Sequence, residues 1–277
     1  MKMIFARIGI RKERQNKNIP CTRIRTKLLT VLTGAVMTFI VCLVAEKMPE
    51  RTILTSAEMA EEGFSLPVIC YEGTAAALLS ADLDHLAKTG AETVTCSEVL
   101  SMVRGMKEIP EKPVLLLFTG SGREVFTGYL PVLQEKKAKA NTVICGSDAD
   151  LYSGSIPKTE EAKLSWNEIR ALEKSDRIEI LSGGYALCHT EKKLSEKAMR
   201  EDILTMQTRM KEELFHDASV FACPEETDGQ LFKELGFLMT LEQGDEVSFI
   251  EDEDDLFSVE YIRRGEAPTA EFFAFGP

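Results

Sequence analysis

Histidine is almost missing from this chain: 277 residues hold three, His85, His189 and His216. Any centre that needs two imidazoles must draw on these. No CxxC pair occurs and the seven cysteines form no dense framework, so neither a zinc ribbon nor a disulfide-stapled mini-domain is expected. No internal repeat is present. Positive charge is scarce beyond Lys27: residues 1–27 carry nine Lys and Arg against Glu13, a sum of +8, and with −12 for the whole chain the rest carries −20. A body that acidic will not bind nucleic acid through counterion release. The acidic run Glu251–Asp255 lacks the glycine turn and spaced ligands of a calcium loop, and reads as a solvated loop.

What is present begins with Leu28 to Ala45, LLTVLTGAVMTFIVCLVA, eighteen residues without a charge. That length can just cross a bilayer, and the basic flank ahead of it predicts a cytoplasmic amino terminus. A cleaved signal peptide is the competing reading, but the apolar run exceeds the usual ~7 to 15 residues of such a segment. The expected organisation is a basic tail (1–27), a membrane anchor (28–45), a polar stalk (46–64) and one domain (65–277) outside the cell membrane. The body then holds five cysteines, an odd number: Cys70, Cys96, Cys145, Cys188 and Cys223. Buried free thiols are the expected state of most of them.

With 44% hydrophobic residues the chain can build a sizeable core. Val114 to Phe118 is a continuous apolar run, as suits a strand buried on both faces of a parallel sheet. Further strands are predicted at Leu66–Tyr71, Thr93–Thr95, Asn141–Cys145, Arg177–Leu181, Ser219–Ala222, Phe237–Leu241 and Phe257–Ile262. Between them the spacing predicts helices over Ser80–Lys88, from a cap at Ser97 to Gly105, over Tyr129–Lys137, from a capping box at Ser165-Trp-Asn-Glu168, over Glu191–Phe215 and over Gln230–Leu235. Met199, Ile203, Met206, Met210 and Leu214 make one stripe of the longest helix, a core face rather than a binding one. About eight strands alternating with helices predict an α/β domain, barrel-like, with its ligand end outside the carboxyl ends of the strands.

At that end the segments Tyr71-Glu72-Gly73-Thr74, Thr119-Gly-Ser-Gly-Arg123, Ser182-Gly-Gly-Tyr-Ala-Leu-Cys-His189 and Ala222-Cys-Pro-Glu-Glu226 follow four strands. In order and spacing, from about Leu66 to about Gly244, they resemble the polysaccharide deacetylase (NodB-homology) family. The resemblance implies a distorted (β/α) barrel that removes N-acetyl groups from amino sugars, with a divalent metal such as zinc held by one aspartate and two histidines. In that family the central strand ends Thr-Phe-Asp-Asp-Gly. Here Thr119 falls where the base aspartate is expected and Gly120 where the metal aspartate is expected. Gly183 falls on the first histidine after Ser182, Cys188 on the second with His189 one residue later, and Glu72 where a histidine is common.

Threonine and glycine can neither hold a metal that activates water nor take its proton. The expectation is therefore a domain without catalytic residues and without a cofactor, whose pocket, from Tyr71, Glu72, Thr119, Ser121, Arg123, Ser182, Tyr185, His189 and Glu225, binds a cell-wall glycan or a membrane protein. The alternative is an active N-deacetylase with a rebuilt metal site at Cys188, His189, Cys223 and Glu225. Two weaker readings complete the set. Thr119 or Ser121 as a nucleophile is one, and the flanks of Ser121 lack the Gly-x-Ser-x-Gly elbow; the other is Arg123 at a helix start, which reads either as an anion contact or, more simply, as a solvated side chain beside a tight turn.

Overall fold

The computed structural model describes residues 63–154, 162–190, 194–223 and 229–275. The expected tail, the anchor Leu28–Ala45 and all but the end of the stalk lie outside these. Among the described residues no helix is long and apolar enough to cross a membrane.

Ten strands occur among the described residues: β1 (Phe64–Leu66), β2 (Val68–Tyr71), β3 (Glu92–Val94), β4 (Pro113–Phe118), β5 (Ala140–Ile144), β6 (Ile178–Ser182), β7 (Val220–Cys223), β8 (Met239–Gln243), β9 (Ser248–Ile250) and β10 (Val259–Arg263). The helices are α1 (Ala76–Thr89), α2 (Cys96–Val103), α3 (Leu130–Lys136), α4 (Gly146–Ser153), α5 (Trp166–Glu173), α6 (Glu196–Leu214), α7 (Gly229–Glu234) and α8 (Thr269–Phe275), with a π-helical turn at Val125–Tyr129 leading into α3. Strands β2, β4, β5, β6, β7, β8 and β10 close into a seven-stranded parallel barrel. The alternating strand and helix pattern foretold this architecture.

Several boundaries differ from expectation, each for a local reason. The run Leu66–Tyr71 is two strands, because Pro67 has no amide to donate and the chain changes sheet there. The first piece pairs antiparallel with β9 and takes in Phe64, one residue ahead of the expected domain start. Helix α2 is capped by Thr95, not Ser97. The Thr95 hydroxyl accepts from the Glu98 amide while Glu98 Oε2 accepts from the Thr95 amide, a reciprocal box. Ser97 instead gives its amide and hydroxyl to Glu179 at 2.8 and 2.6 Å. Helix α6 begins at Glu196 behind a Ser195 cap, and the expected helix positions 191–193 lie outside the described residues. Helices α4 and α8 and strand β9 went unread because each is short and weakly patterned.

The barrel is distorted at β4. Its first half pairs with β3 and its second half with β5 on the same edge, so the sheet forks. Asn141, fully buried, fills the fork: its Oδ1 accepts from the Cys96 amide at 2.9 Å, and its Nδ2 donates to the Leu116 and Val94 carbonyls at 3.1 and 3.5 Å. Alternation along the strands makes two cores. Cys70, Leu115, Leu117, Leu181 and Leu241 fill the barrel. Ile69, Tyr71, Leu116 and Phe118 face the helices, where the α6 stripe Ile203, Met206, Met210 and Leu214 is buried as its spacing predicted, with Met199 half-buried at its end.

Closure joins the last barrel strand to the first over two register pairs, Ile262 to Ile69 and Arg263 to Cys70. Arg264, just beyond β10, reinforces it. Its guanidinium donates to Asp82 of α1 at 2.6 and 3.0 Å, to the carbonyls of Gly265 and Ala267, and lies 4.3 Å from the Phe272 ring centroid. Asp82 also accepts from Tyr71 at 3.0 Å and Thr269 at 2.6 Å. Both ion-pair side chains are 0% exposed. Arg264→Met should therefore destabilise the domain by about 3–5 kcal/mol, the cost of stranding a buried carboxylate. Urea unfolding checks this, and a loss under 1 kcal/mol would show that the clasp does not hold the closure.

Candidate functional site

Parallel pairing brings the strand ends to one mouth. Tyr71 pairs with Phe118, Ile144 with Ser182, Ser182 with Phe221 and Cys223 with Glu242. The side chains divide. Tyr71 faces the helices, held by Asp82, and its ring meets Phe118 edge-on at 6.0 Å. It is not part of the mouth, because one residue's shift along a strand reverses the face. Glu72 and Thr119 do belong to it. Glu72 Oε2 lies 3.0 Å from Nη1 of Arg263, an exposed pair on the rim. Arg263, which also donates to Gln243 at 3.1 Å, was missed as a site residue because it lies about 190 positions from Glu72 and outside any motif. Thr119 Oγ1 sits 3.3 Å from the Cys70 sulfur, and burial pushes the Cys70 thiol up to about 11, which removes it as a thiolate nucleophile.

The hydroxyl of Ser121 is a latch rather than a ligand contact. It is buried, accepts from the Cys145 amide at 3.0 Å and donates to the Val143 carbonyl at 3.3 Å. The Ser121 carbonyl accepts from Leu164, and Arg123 donates its amide to the Ala162 carbonyl, so residues 162–164 are strapped to the turn. Arg123 is only partly exposed and is engaged by a carboxylate. Its Nε donates to Glu168 at 2.7 Å, and Glu168 is the acid of the α5 cap, also accepting from Ser165. Ser182 is fully buried and accepts from the Gly184 amide.

Tyr185 is half-buried and donates to Asp150 at 3.1 Å, while its amide goes to Asp202 at 2.7 Å. Asp150 collects Trp166 Nε1 at 2.7 Å and the Arg209 guanidinium at 2.5 to 3.2 Å. Burial pushes the Asp150 pKa upward, but the bonds from Arg209, Trp166 and Tyr185 outweigh it and leave the carboxyl below its ordinary 3.8.

Cys145 and Cys188 form a disulfide joining the end of β5 to the turn Leu187–His189, a pairing that their spacing in the sequence did not signal. Cys70 and Cys96 are buried and free, as expected. His189 is half-exposed, with Nε2 2.9 Å from Asp148 Oδ1. Glu225 and the side chain of Cys223 lie outside the described residues.

These positions do not fit the metal that the family resemblance implies. Gly120 supplies no donor, and its φ of +82° suits glycine rather than aspartate. A β-carbon on Gly183 would lie 2.8 Å from Val143 Cγ1 and 3.1 Å from the Ile144 carbonyl oxygen, so a histidine there needs the strand end to move. Cys188 spends its sulfur on Cys145.

Residues 106–234 match the polysaccharide deacetylase family. This segment belongs to that family. The deacetylase-family domain matches no curated protein. Among solved structures, it is similar to the Streptococcus pyogenes deacetylase PplD in complex with acetate, at 14% identity and a TM-score of 0.66 over 78% of this chain and 99% of that one. It is also similar to IcaB from Ammonifex degensii, at 20% identity and a TM-score of 0.66 over 77% and 97%. A third is a de-N-acetylase from Aggregatibacter actinomycetemcomitans, at 16% identity and 0.59 over 74% and 96%. At such identities the likeness is one of fold.

The Asp150 cluster gives a pH prediction. A carboxyl whose folded pKa is depressed contributes stability that is present above the unfolded value and lost as pH falls through the folded one. Asp150→Ala should cost about 1.5–3 kcal/mol near neutrality, as for a hydrogen bond to a charged group. The gap from the native chain should be flat above about pH 5 and shrink below about pH 4 in urea unfolding at stepped pH.

Proposed function

We propose that this is a membrane-anchored, extracytoplasmic deacetylase-fold protein that lacks deacetylase chemistry and binds a cell-wall glycan at the barrel mouth. The observation that carries the reading is the state of three positions: Thr119, Gly120 and Gly183 stand where a base and two metal ligands are expected, and the space at Gly183 is closed by Val143 and Ile144. General-base help alone is worth ~10²- to 10⁴-fold in rate. Metal activation of water is a separate loss.

The rim supports a binding role. The Glu72–Arg263 pair is exposed and offers both an acceptor and a donor fork to sugar hydroxyls. Tyr185 adds a half-buried aromatic face. The Cys145–Cys188 disulfide supports an oxidising compartment, which agrees with the orientation that the basic tail and the apolar run of Leu28–Ala45 favour.

The test uses the full chain purified without reductant or chelator. Metal content and acetate release from chitooligosaccharides and peptidoglycan fragments should both be at background. Glycan binding should weaken about tenfold in Arg263→Ala, one charged hydrogen bond's worth. Stoichiometric zinc with acetate release that Cys188→Ala or His189→Ala abolishes would establish the alternative, an active N-deacetylase with a rebuilt site. Topology has its own check: protease added to intact cells should digest the body and spare residues 1–27, and a protected body would refute the orientation.

A further inference from the structure

The disulfide and its neighbours form a cluster of which the glycan reading uses His189 alone. The sulfurs of Cys145 and Cys188 and a ring nitrogen of His189 all lie within 4.8 Å of one another. Cys145 is buried at the end of β5, while Cys188 and His189 are exposed on the turn after β6. Asp148, on the first turn of α4, holds His189 Nε2 at 2.9 Å. A carboxylate only accepts, so Nε2 is the donor of this pair and Nδ1 is the nitrogen left for a metal to take. Such a carboxylate–imidazole pair is the arrangement that orients a metal-binding histidine.

We propose that these residues form a redox-gated site for a thiophilic divalent cation of the zinc class: closed as a disulfide, and metal-binding when Cys145 and Cys188 are reduced. Two thiolates and an imidazole are ligands that zinc takes, with the remaining position open to water. The sulfurs must part to about 3.8 Å, the separation set by two Zn–S bonds of ~2.3 Å at a tetrahedral angle. The exposed turn carrying Cys188 makes that movement while Cys145 stays buried between β5 and α4. In the opening step a phosphine attacks the disulfide, the Sγ–Sγ bond breaks, water supplies the oxygen of the phosphine oxide, and two thiols result. Zinc then displaces one proton from each thiol. This site shares no residue with the Thr119, Gly120 and Gly183 positions, and its test is independent of acetate release.

The experiment reduces the full chain with a phosphine, removes excess reagent anaerobically, adds zinc chloride, dialyses and counts zinc. About one zinc per chain is expected after reduction and under about a tenth in the air-oxidised chain. Cobalt should give a thiolate charge-transfer band that Cys145→Ser loses, and Asp148→Asn should weaken zinc binding about 10- to 100-fold. Protection is read in the native chain as well, which removes any dependence on the folding of a serine variant: zinc should slow alkylation of reduced Cys188, mapped by mass spectrometry. Equal zinc in the oxidised and reduced chains, retention of zinc by the Cys145→Ser/Cys188→Ser double variant, or alkylation of Cys188 indifferent to zinc would each overturn the proposal.

Discussion

A barrel is only as closed as its last seam, and here the seam is short. Strands β2 and β10 share two register pairs, so the Asp82–Arg264 pair immediately above them carries much of the joining. Burying two charges is costly, and the cost is offset only when every lone pair and proton finds a partner. Asp82 has Arg264, Tyr71 and Thr269, and Arg264 adds two carbonyls and the Phe272 face. Tyr71, the last residue of β2, points outward by strand alternation, and the clasp anchors it there.

The mouth itself is a framework whose polar groups are largely engaged in holding it together. Ser121 ties two strand ends, Arg123 completes a helix cap, Ser182 holds a turn and Asp202 supports the Tyr185 backbone. Catalytic sites need groups whose environment leaves them a reactive protonation state and an open face. Cys70 has neither: it is buried, and its thiol is pushed up to about 11. What remains open is the rim, with Glu72, Arg263, Tyr185 and His189.

The disulfide gives that rim a second character. It ties the end of β5 to the turn after β6, strand neighbours whose pairing is the most extensive in the barrel. A crosslink between elements already paired adds little to the fold. Its consequence is local, in fixing where Cys188 and His189 stand relative to Asp148.

Sequence alone determined the class of fold and which residues stand at the three positions where a base and two metal ligands are expected. Apolar runs such as Val114–Phe118 and the α6 stripe depend on periodicity, which is local, and Thr119, Gly120 and Gly183 lack a carboxylate or imidazole whatever surrounds them. Tertiary structure alone decided orientation and partnership. Tyr71 is anchored in the outer core by a clasp that only an arginine from the far end of the chain completes. Arg263 reaches the mouth because the barrel closes, and Cys145 meets Cys188 because two loops cross the same rim. Such pairings depend on positions in space that residues 43 to about 190 apart acquire only when the sheet closes, and no spacing rule along the chain encodes them.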